Sequence, residues 1–330
     1  MTFNASTRSV LIAIAAASIN CAIPALSQAQ SYPVKPMRMV LPLPPGGAID
    51  IVGRTVGGAV SERLGQPMIF DNKPGANTIV ATDNCVKSPA DGYSLCYITS
   101  NLSLNASLYS KLPYDHIRDL EPITNMVLPW EGLYLTGDIP ASNIRDLVAY
   151  SKANPGKLNF GSLGIGGSPH VVPEWIVKNT GASFTHIPFK GLPDLMRAFT
   201  AGEIHMFFLA LGNPGYMENI KAGRMKVMFF GGDKRNAMLP DVLSMAESGV
   251  PDHRFKSWWG MAAPKGTPKE IIDRLHSVFV EALRTPAIQQ RFTSMSLDIV
   301  ANTPAEFAKF ILEDRANAER LVKTSGAKLD

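Results

Sequence analysis

The chain has 330 residues, with 32 lysines and arginines against 28 acids for a formal net charge of +4, and it is 45% hydrophobic and 8% aromatic. That composition excludes a disordered chain, and 27 glycines with 25 prolines in no fixed period exclude a collagen-like one. The charges form no basic stripe, so nothing points to nucleic acid, and the length calls for two domains rather than one small core.

Residues 1–29 read as a cleavable secretory signal peptide. Arg8 precedes the apolar run 10–17, a softer stretch follows to Leu26, and Ser27-Gln28-Ala29 has the small residues of a cleavage site. Asn20, Cys21 and Pro24 interrupt the run, which is shorter than the roughly 20 residues a membrane span needs. Cleavage is expected after Ala29, with export to an oxidising compartment. There Cys85 and Cys96 are either a disulfide pair or two buried small hydrophobes.

The apolar run 37–43 reads as a strand broken by Leu41-Pro42-Leu43-Pro44-Pro45-Gly46-Gly47, and a helix follows at once. Ile49, Val52, Val56, Val60 and Leu64 recur at spacings of three or four before Gly65 ends it. Gly53, Gly57 and Gly58 weaken that helix, so it must lean on packing. A strand over 67–71, a helix over 77–87 and a strand over 93–99 come next. Helices at 141–154, 170–179, 193–201 and 215–222 then alternate with strands at 158–161, 184–188, 204–209 and 225–230. This alternation implies parallel sheets with crossover helices. The tail differs: helices at 268–283, 286–294 and 304–324 follow one another and are expected to cover the first sheet. With no linker in sight, the boundary falls at crossovers, Pro129-Trp130-Glu131 outward and 250–259 on the return. The expected domains are 30–130 with 255–330, and 131–254.

The chemistry begins with absences. There is no Cys-x-x-Cys or His-Glu-x-x-His, and the six histidines are scattered, so no metal site is expected. Gly164-Ile165-Gly166 has Pro169 where a dinucleotide fingerprint needs its third glycine, and no cofactor is expected. Ser162 and Ser168 both lack the glycines of a nucleophile elbow, so no catalytic set follows. What remains is a pair of Gly-rich turns, 44–47 and 161–168, each opening a helix. Glycines let consecutive N–H groups converge where the helix dipole is positive, which suits an anion; the alternative is a tight turn without ligand. Asp50, in the first turn of its helix, reads as a cap rather than a catalytic base. His170 either donates to an anion or caps its own helix. Trp130, Trp175, Trp258 and Trp259 read as core.

Read in order, Tyr32-Pro-Val-Lys-Pro36, Pro44-Pro-Gly-Gly47 with Asp50, Asn72-Lys-Pro-Gly-Ala76, Pro89-Ala-Asp-Gly-Tyr93, Leu112-Pro-Tyr-Asp115 and Asn154-Pro-Gly-Lys157 form a recognisable series. It continues through Gly161-Ser162 to His170, His186-Ile-Pro-Phe-Lys-Gly191, Ala222-Gly-Arg224, Glu247-Ser-Gly249 and Ala263-Pro-Lys-Gly-Thr-Pro268. In these the chain resembles the solute-binding receptors of tripartite tricarboxylate transporters, the Bug receptors. The resemblance implies an α/β fold of the two-domain periplasmic binding protein type II, with parallel-rich sheets, crossover strands and a hinge. It implies a periplasmic protein, not an enzyme, that closes over a small carboxylate and serves membrane permease subunits. A receptor reporting to a membrane sensor is the alternative function, and an exported enzyme a remote one. A protein that must hinge freely is expected to be a monomer.

Carried over, the ligand residues are Pro44, Gly46, Gly47, Ala48 and Asp50 in the first loop, and Ser162, Gly164, Gly166, Ser168 and His170 in the second. Ala76, Asn77 and Thr78 form a third cleft loop, and Phe189 completes the set. Several positions depart from the resemblance. Gly167 stands where Thr or Ser is usual, Asn77-Thr78 replaces a Gly-rich pair, Phe189 replaces a common Tyr, and Leu209 or Ala210 lies where many relatives carry Asp. Together these departures tilt the expected ligand away from an amino acid and toward a dicarboxylate with an apolar or aromatic body.

Overall fold

In the computed structural model, residues 32–249 and 256–327 are described; the expected signal peptide and part of the return crossover lie outside them. The chain from Lys35 onward forms one compact unit containing both sheets. Strand β1 (Met37–Leu41) ends where Pro42 can donate no ladder hydrogen bond. Helix α1 (Ala48–Leu64) follows and stops at Gly65 in the left-handed conformation. Gly53 and Gly57 let it lie close to the sheet: a Cβ on either would stand 2.6 Å from a side-chain carbon of Leu41 or Phe70. Their helix-weakening cost, about 1 kcal/mol each, is offset by that close packing.

Strand β2 (Met68–Asn72), helix α2 (Ile79–Val86) and strand β3 (Ser94–Thr99) continue the first sheet, and a disulfide joins Cys85 to Cys96. The helix expected from residue 77 begins later because Ala76, Asn77 and Thr78 all have positive φ, at 43°, 48° and 74°. Helix α3 (Asn101–Leu108), which the run of Asn, Ser and Leu did not announce, is held by burial of Leu102, Leu104 and Leu108. Strand β4 (Leu120–Pro129) ends the first passage, and β5 (Glu131–Thr136) opens the second sheet. Trp130 alone carries the chain from one sheet to the other.

The second sheet is built from α4 (Ile144–Ala153), β6 (Asn159–Ser162), α5 (Ser168–Thr180) and β7 (Thr185–Pro188). It is completed by α6 (Leu192–Thr200), β8 (Met206–Ala210), α7 (Tyr216–Lys221) and β9 (Met225–Phe230). The chain returns through β10 (Trp259–Pro264), α8 (Lys269–Leu283), α9 (Pro286–Ser294), β11 (Leu297–Ile299) and α10 (Pro304–Ser325).

The strand orders are β11-β4-β10-β3-β1-β2 and β7-β6-β8-β5-β9. Pairings that involve crossover helices are parallel, β1 with β2 and β3 and β6 with β7 and β8. The crossover strands run the other way: β10 is antiparallel to β3 and β4, and β5 to β8 and β9. The short β11 is also antiparallel to β4, so both sheets are mixed, an α/β arrangement with parallel cores and antiparallel crossover and edge strands.

The last helix departs from expectation. Its Phe307 and Ile311 belong to the core of the first sheet with Val40, Ile98 and Trp258, whereas Ala318, Leu321 and Val322 belong to the core of the second with Leu133, Phe160 and Trp175. It covers both sheets because its apolar face is long enough to cross the junction. The indole of buried Trp258 donates to Asp314 of this helix at 2.7 Å. Burial pushes the Asp314 carboxyl up to about 6, with hydrogen bonds from Ser103 and Trp258 opposing the shift.

Candidate functional site: a cavity between two uncapped helices

A cavity of about 850 Å³ lies between the sheets, bounded by residues 43–45 and 47–50, residues 74–78 and 99–101, residues 163–165 and 167–169, residues 188–192, and Glu131, Asn213, Ser257 and Trp259 among others. Helices α1 and α5 both start at it. Gly47 and Gly167 are their N-caps, and neither helix has a side-chain cap. Neither helix caps its own first turn, although Asn213, just beyond β8 of the second sheet, accepts the Ala48 N–H of α1, and the positive ends of two dipoles face one space.

Each loop is held from behind. Gly46 (φ 97°) donates its N–H to Asp50 Oδ2 at 3.1 Å. The buried Asp50 carboxylate also accepts from Arg54 Nε at 2.9 Å and Asn72 Nδ2 at 3.1 Å. Burial alone would raise its pKa, but the hydrogen bonds from Arg54, Asn72 and Gly46 outweigh it and hold the carboxyl below its usual range. Asp50 is a clamp on the first loop and not the helix cap expected from its place in the first turn, since the N–H it accepts is that of Gly46, before the N-cap.

The second loop rests on neutral imidazoles. Ser162, fully buried on β6, donates to Gly164 O and shares a 2.6 Å hydrogen bond with His186 Nε2. His170 Nδ1 accepts the Gly166 N–H at 3.2 Å, and the two imidazoles stack with centroids 4.2 Å apart. Burial lowers both histidines to about 4, with His170 adding to the effect on His186. They are uncharged near neutral pH.

Of the expected ligand residues, the wall includes Pro44, Gly47, Ala48, Asp50, Ala76, Asn77, Thr78, Gly164, Ser168 and Phe189. It does not include Gly46, Ser162, Gly166 or His170. Ser162 and His170 sit beneath the loop, where their hydrogen bonds shape it, and Gly46 and Gly166 supply the turns with φ of 97° and 98°. His170 does not cap its helix; its Nδ1 accepts from the loop before the helix. Asn77 faces the cavity with its amide already committed, to Asn101 at 2.8 Å and Asn105 at 2.6 Å. That pair locks the left-handed third loop, and a Cβ on Gly167 would stand 3.0 Å from Asn77 Oδ1. Asn77 thus fills the space a side chain at 167 would use.

Of the wall residues that were not expected, three have distinct roles. Asn213 reaches across the cleft to accept the Ala48 N–H at 3.0 Å, its own amide fixed on Ala210 O. The surrounding Gly212-Asn213-Pro214-Gly215 announces a turn and nothing more. Trp259, read as core, forms part of the wall. Glu131, noticed only as a crossover marker, stands opposite Ala210 in the register of β5 and β8 and accepts from Ser168 Oγ at 3.1 Å. Among the described residues, no cluster of three or more His, Cys, Asp or Glu could hold a metal ion, and no helix is long and apolar enough to cross a membrane.

Two mixed sheets joined by crossover strands, each bringing a helix N-terminus without a side-chain cap to a shared cavity, are a framework suited to holding a solute between them. The tripartite tricarboxylate transporter family receptor profile matches residues 52–327, and the chain belongs to this family. It is 31% identical to protein BugT of Bordetella pertussis over 317 residues, covering 91% of this chain and 92% of that one. The solved periplasmic binding protein BugD is 29% identical with a TM-score of 0.84, over 90% of this chain and 99% of that one. An R. palustris protein solved with adipate is 26% identical with a TM-score of 0.84, over 90% of this chain and 100% of that one.

Proposed function

We propose that this is a periplasmic receptor, exported through a leader over residues 1–29, that captures a small dicarboxylate and delivers it to the membrane permease subunits of a tripartite tricarboxylate transporter. Two lobes, 30–130 with 255–330 and 131–254, close on the ligand about the crossover strands. The observation that carries this reading is the pair of uncapped helix N-termini at one cavity. A carboxylate stripped of water is costly to bury unless donors replace its hydration, and first-turn N–H groups do so without a bulky cation. Each helix end contributes roughly 0.3–1 kcal/mol to an exposed anion and up to about 2 in a partly buried site.

Closure follows from differential contact. An anion touching both helix ends stabilises the arrangement in which they converge, and only such a ligand shifts the population. The wall also holds apolar side chains, with Leu43, Ile49, Leu163, Phe189, Leu209 and Trp259 set to cover a hydrocarbon body, aliphatic or aromatic. The adipate-bound neighbour supports a dicarboxylate. A micromolar Kd corresponds to about −8 kcal/mol, within reach of two anchored carboxylates and an apolar middle.

The test is a thermal-shift screen of the purified protein against mono-, di- and tricarboxylates, aromatic carboxylates and amino acids. A dicarboxylate at 100 times its Kd should add about 2.7 kcal/mol of stability. No shift from any carboxylate would overturn the reading.

A further inference from the structure

Glu131 is an acid in a cavity read as a carboxylate site, and elementary electrostatics makes that a problem to be solved. It stands at the start of β5, where the chain enters the second lobe, and it is partly exposed to the cavity. Its hydrogen-bond partners are hydroxyls: Ser168 Oγ, at the N-terminus of α5, and Ser257, on the return crossover. Ser257 in turn lies 3.2 Å from Ser100 Oγ of the first lobe. The chain Ser168–Glu131–Ser257–Ser100 thus runs from one lobe to the other, and every member lines the cavity.

Among the described residues no lysine or arginine pairs with this carboxyl. The titratable groups around it are few. Tyr134 follows on the same strand; Asp233 and Lys234 beyond β9, Lys256 before β10 and Asp298 of β11 line a smaller cavity on its other side. Across the main cavity stand Tyr109, the exposed Lys190 and Asp50, the last already paired with Arg54. Lys234 and Lys256 are exposed to solvent as well. Burial pushes the Glu131 carboxyl up to about 7, the two serine hydroxyls opposing the shift.

An anion arriving at the N-terminus of α5 meets Ser168 and, bonded to it, Glu131. Two carboxylates sharing a site cannot both stay ionised; one holds a proton, and that proton lies between them. We propose that Glu131 is a specificity-determining residue of this cavity, donating a hydrogen bond from its protonated carboxyl group to an oxygen of the bound carboxylate, so that capture takes up one proton from solvent. The inference rests on the cavity being the carboxylate site. The bookkeeping is simple: ionised Glu131 gains a proton from bulk water as the anion binds, the anion keeps its charge, and no other bond changes. A carboxylic acid donor discriminates against a ligand ammonium, which has no lone pair to accept that proton. A neutral acid also contacts an anion without the desolvation cost of a buried cation.

The experiment is calorimetric titration of the protein with succinate, malate, glutarate, adipate and phthalate between pH 6 and pH 9. In that window His170 and His186 stay neutral, and from pH 7 upward, where the slope is read, these ligands are close to fully ionised. For the carboxylates that bind, Kd should rise toward tenfold per pH unit above about 7, the slope of a one-proton linkage. Titrations at pH 8 in two buffers of different ionisation enthalpy should report uptake approaching one proton. Glu131→Gln keeps a donor that cannot ionise, so its Kd should be flat across the window and within a few-fold of the wild-type value at pH 6. Binding without pH dependence in the wild type would overturn the inference and leave the receptor reading standing. So would loss of binding at every pH in Glu131→Gln, or amino-acid binding that strengthens with pH and needs Glu131. Absence of binding by all five at both ends of the window would overturn the carboxylate reading itself.

Discussion

The two Gly-rich loops meet the same cavity from opposite lobes and are stiffened by opposite means. Behind the first, an ionised Asp50 gathers Gly46, Arg54 and Asn72 around full charge. Behind the second, Ser162, His170 and His186 do the same work with uncharged groups packed against Phe160. Each loop gives one N–H to that support, Gly46 to Asp50 and Gly166 to His170, and the side chains below hold the rest of the turn. A charged underlayer resists acid until its carboxylate protonates; a neutral imidazole underlayer fails earlier.

The sharpest way to break this comparison is Asp50→Ala, which leaves the Gly46 N–H, Asn72 and Arg54 without their shared acceptor. We expect a loss of about 3 kcal/mol in urea unfolding, the scale of charged hydrogen bonds in a buried site, and at least a tenfold rise in the Kd of a bound carboxylate. A cost below about 1 kcal/mol would show that the charge is not what holds the loop. Next in size are Gly46→Val and Gly164→Val. A Cβ at either meets no atom within 4 Å, so the cost is that of φ near +100° alone, about 1–3 kcal/mol. Equal losses in the two variants would show that the loops differ in their support and not in their backbone.

A smaller effect separates the supports by pH. Both imidazoles bind protons less readily folded than unfolded, so their contribution is complete above about 6.5 and lost as pH falls toward 4. Raised acids such as Glu131 and Asp314 act in the opposite sense, so the difference between wild type and variant is the quantity to read. His170→Asn, whose Oδ1 can accept the Gly166 N–H, should flatten the acid limb by up to about 1.4 kcal/mol per pH unit in chemical denaturation. An unchanged limb would mean His170 is not the acid-sensitive part. Smallest is Ser162→Ala, expected to cost about 1 kcal/mol and to weaken carboxylate binding only through the loop it shapes.

The contrast also explains what could be read without coordinates. Pro44-Pro45-Gly46-Gly47 and Gly161–Ser168 announce turns through residues with special backbone freedom, and alternation of apolar runs announces the parallel strands between them. Helix α3 carried no such signal, since Asn-Leu-Ser-Leu-Asn-Ala-Ser-Leu has no helical stripe and folds because two cores take up its leucines. Asn213 and Glu131 acquire their roles from register: one matters because Ala48 lies across the cleft, the other because β5 begins opposite Ala210. Ser162 and His170 were legible as residues of the loop, but the sequence does not say which side of the loop they occupy.

Helix α10 closes both cores, giving Phe307 and Ile311 to one lobe and Leu321 and Val322 to the other. During synthesis the first core waits for Ile311 and the second for Val322, so each is closed only by chain that emerges near the end. If the leader proposed over residues 1–29 exports the chain unfolded, that ordering delays the knot until the rope is through.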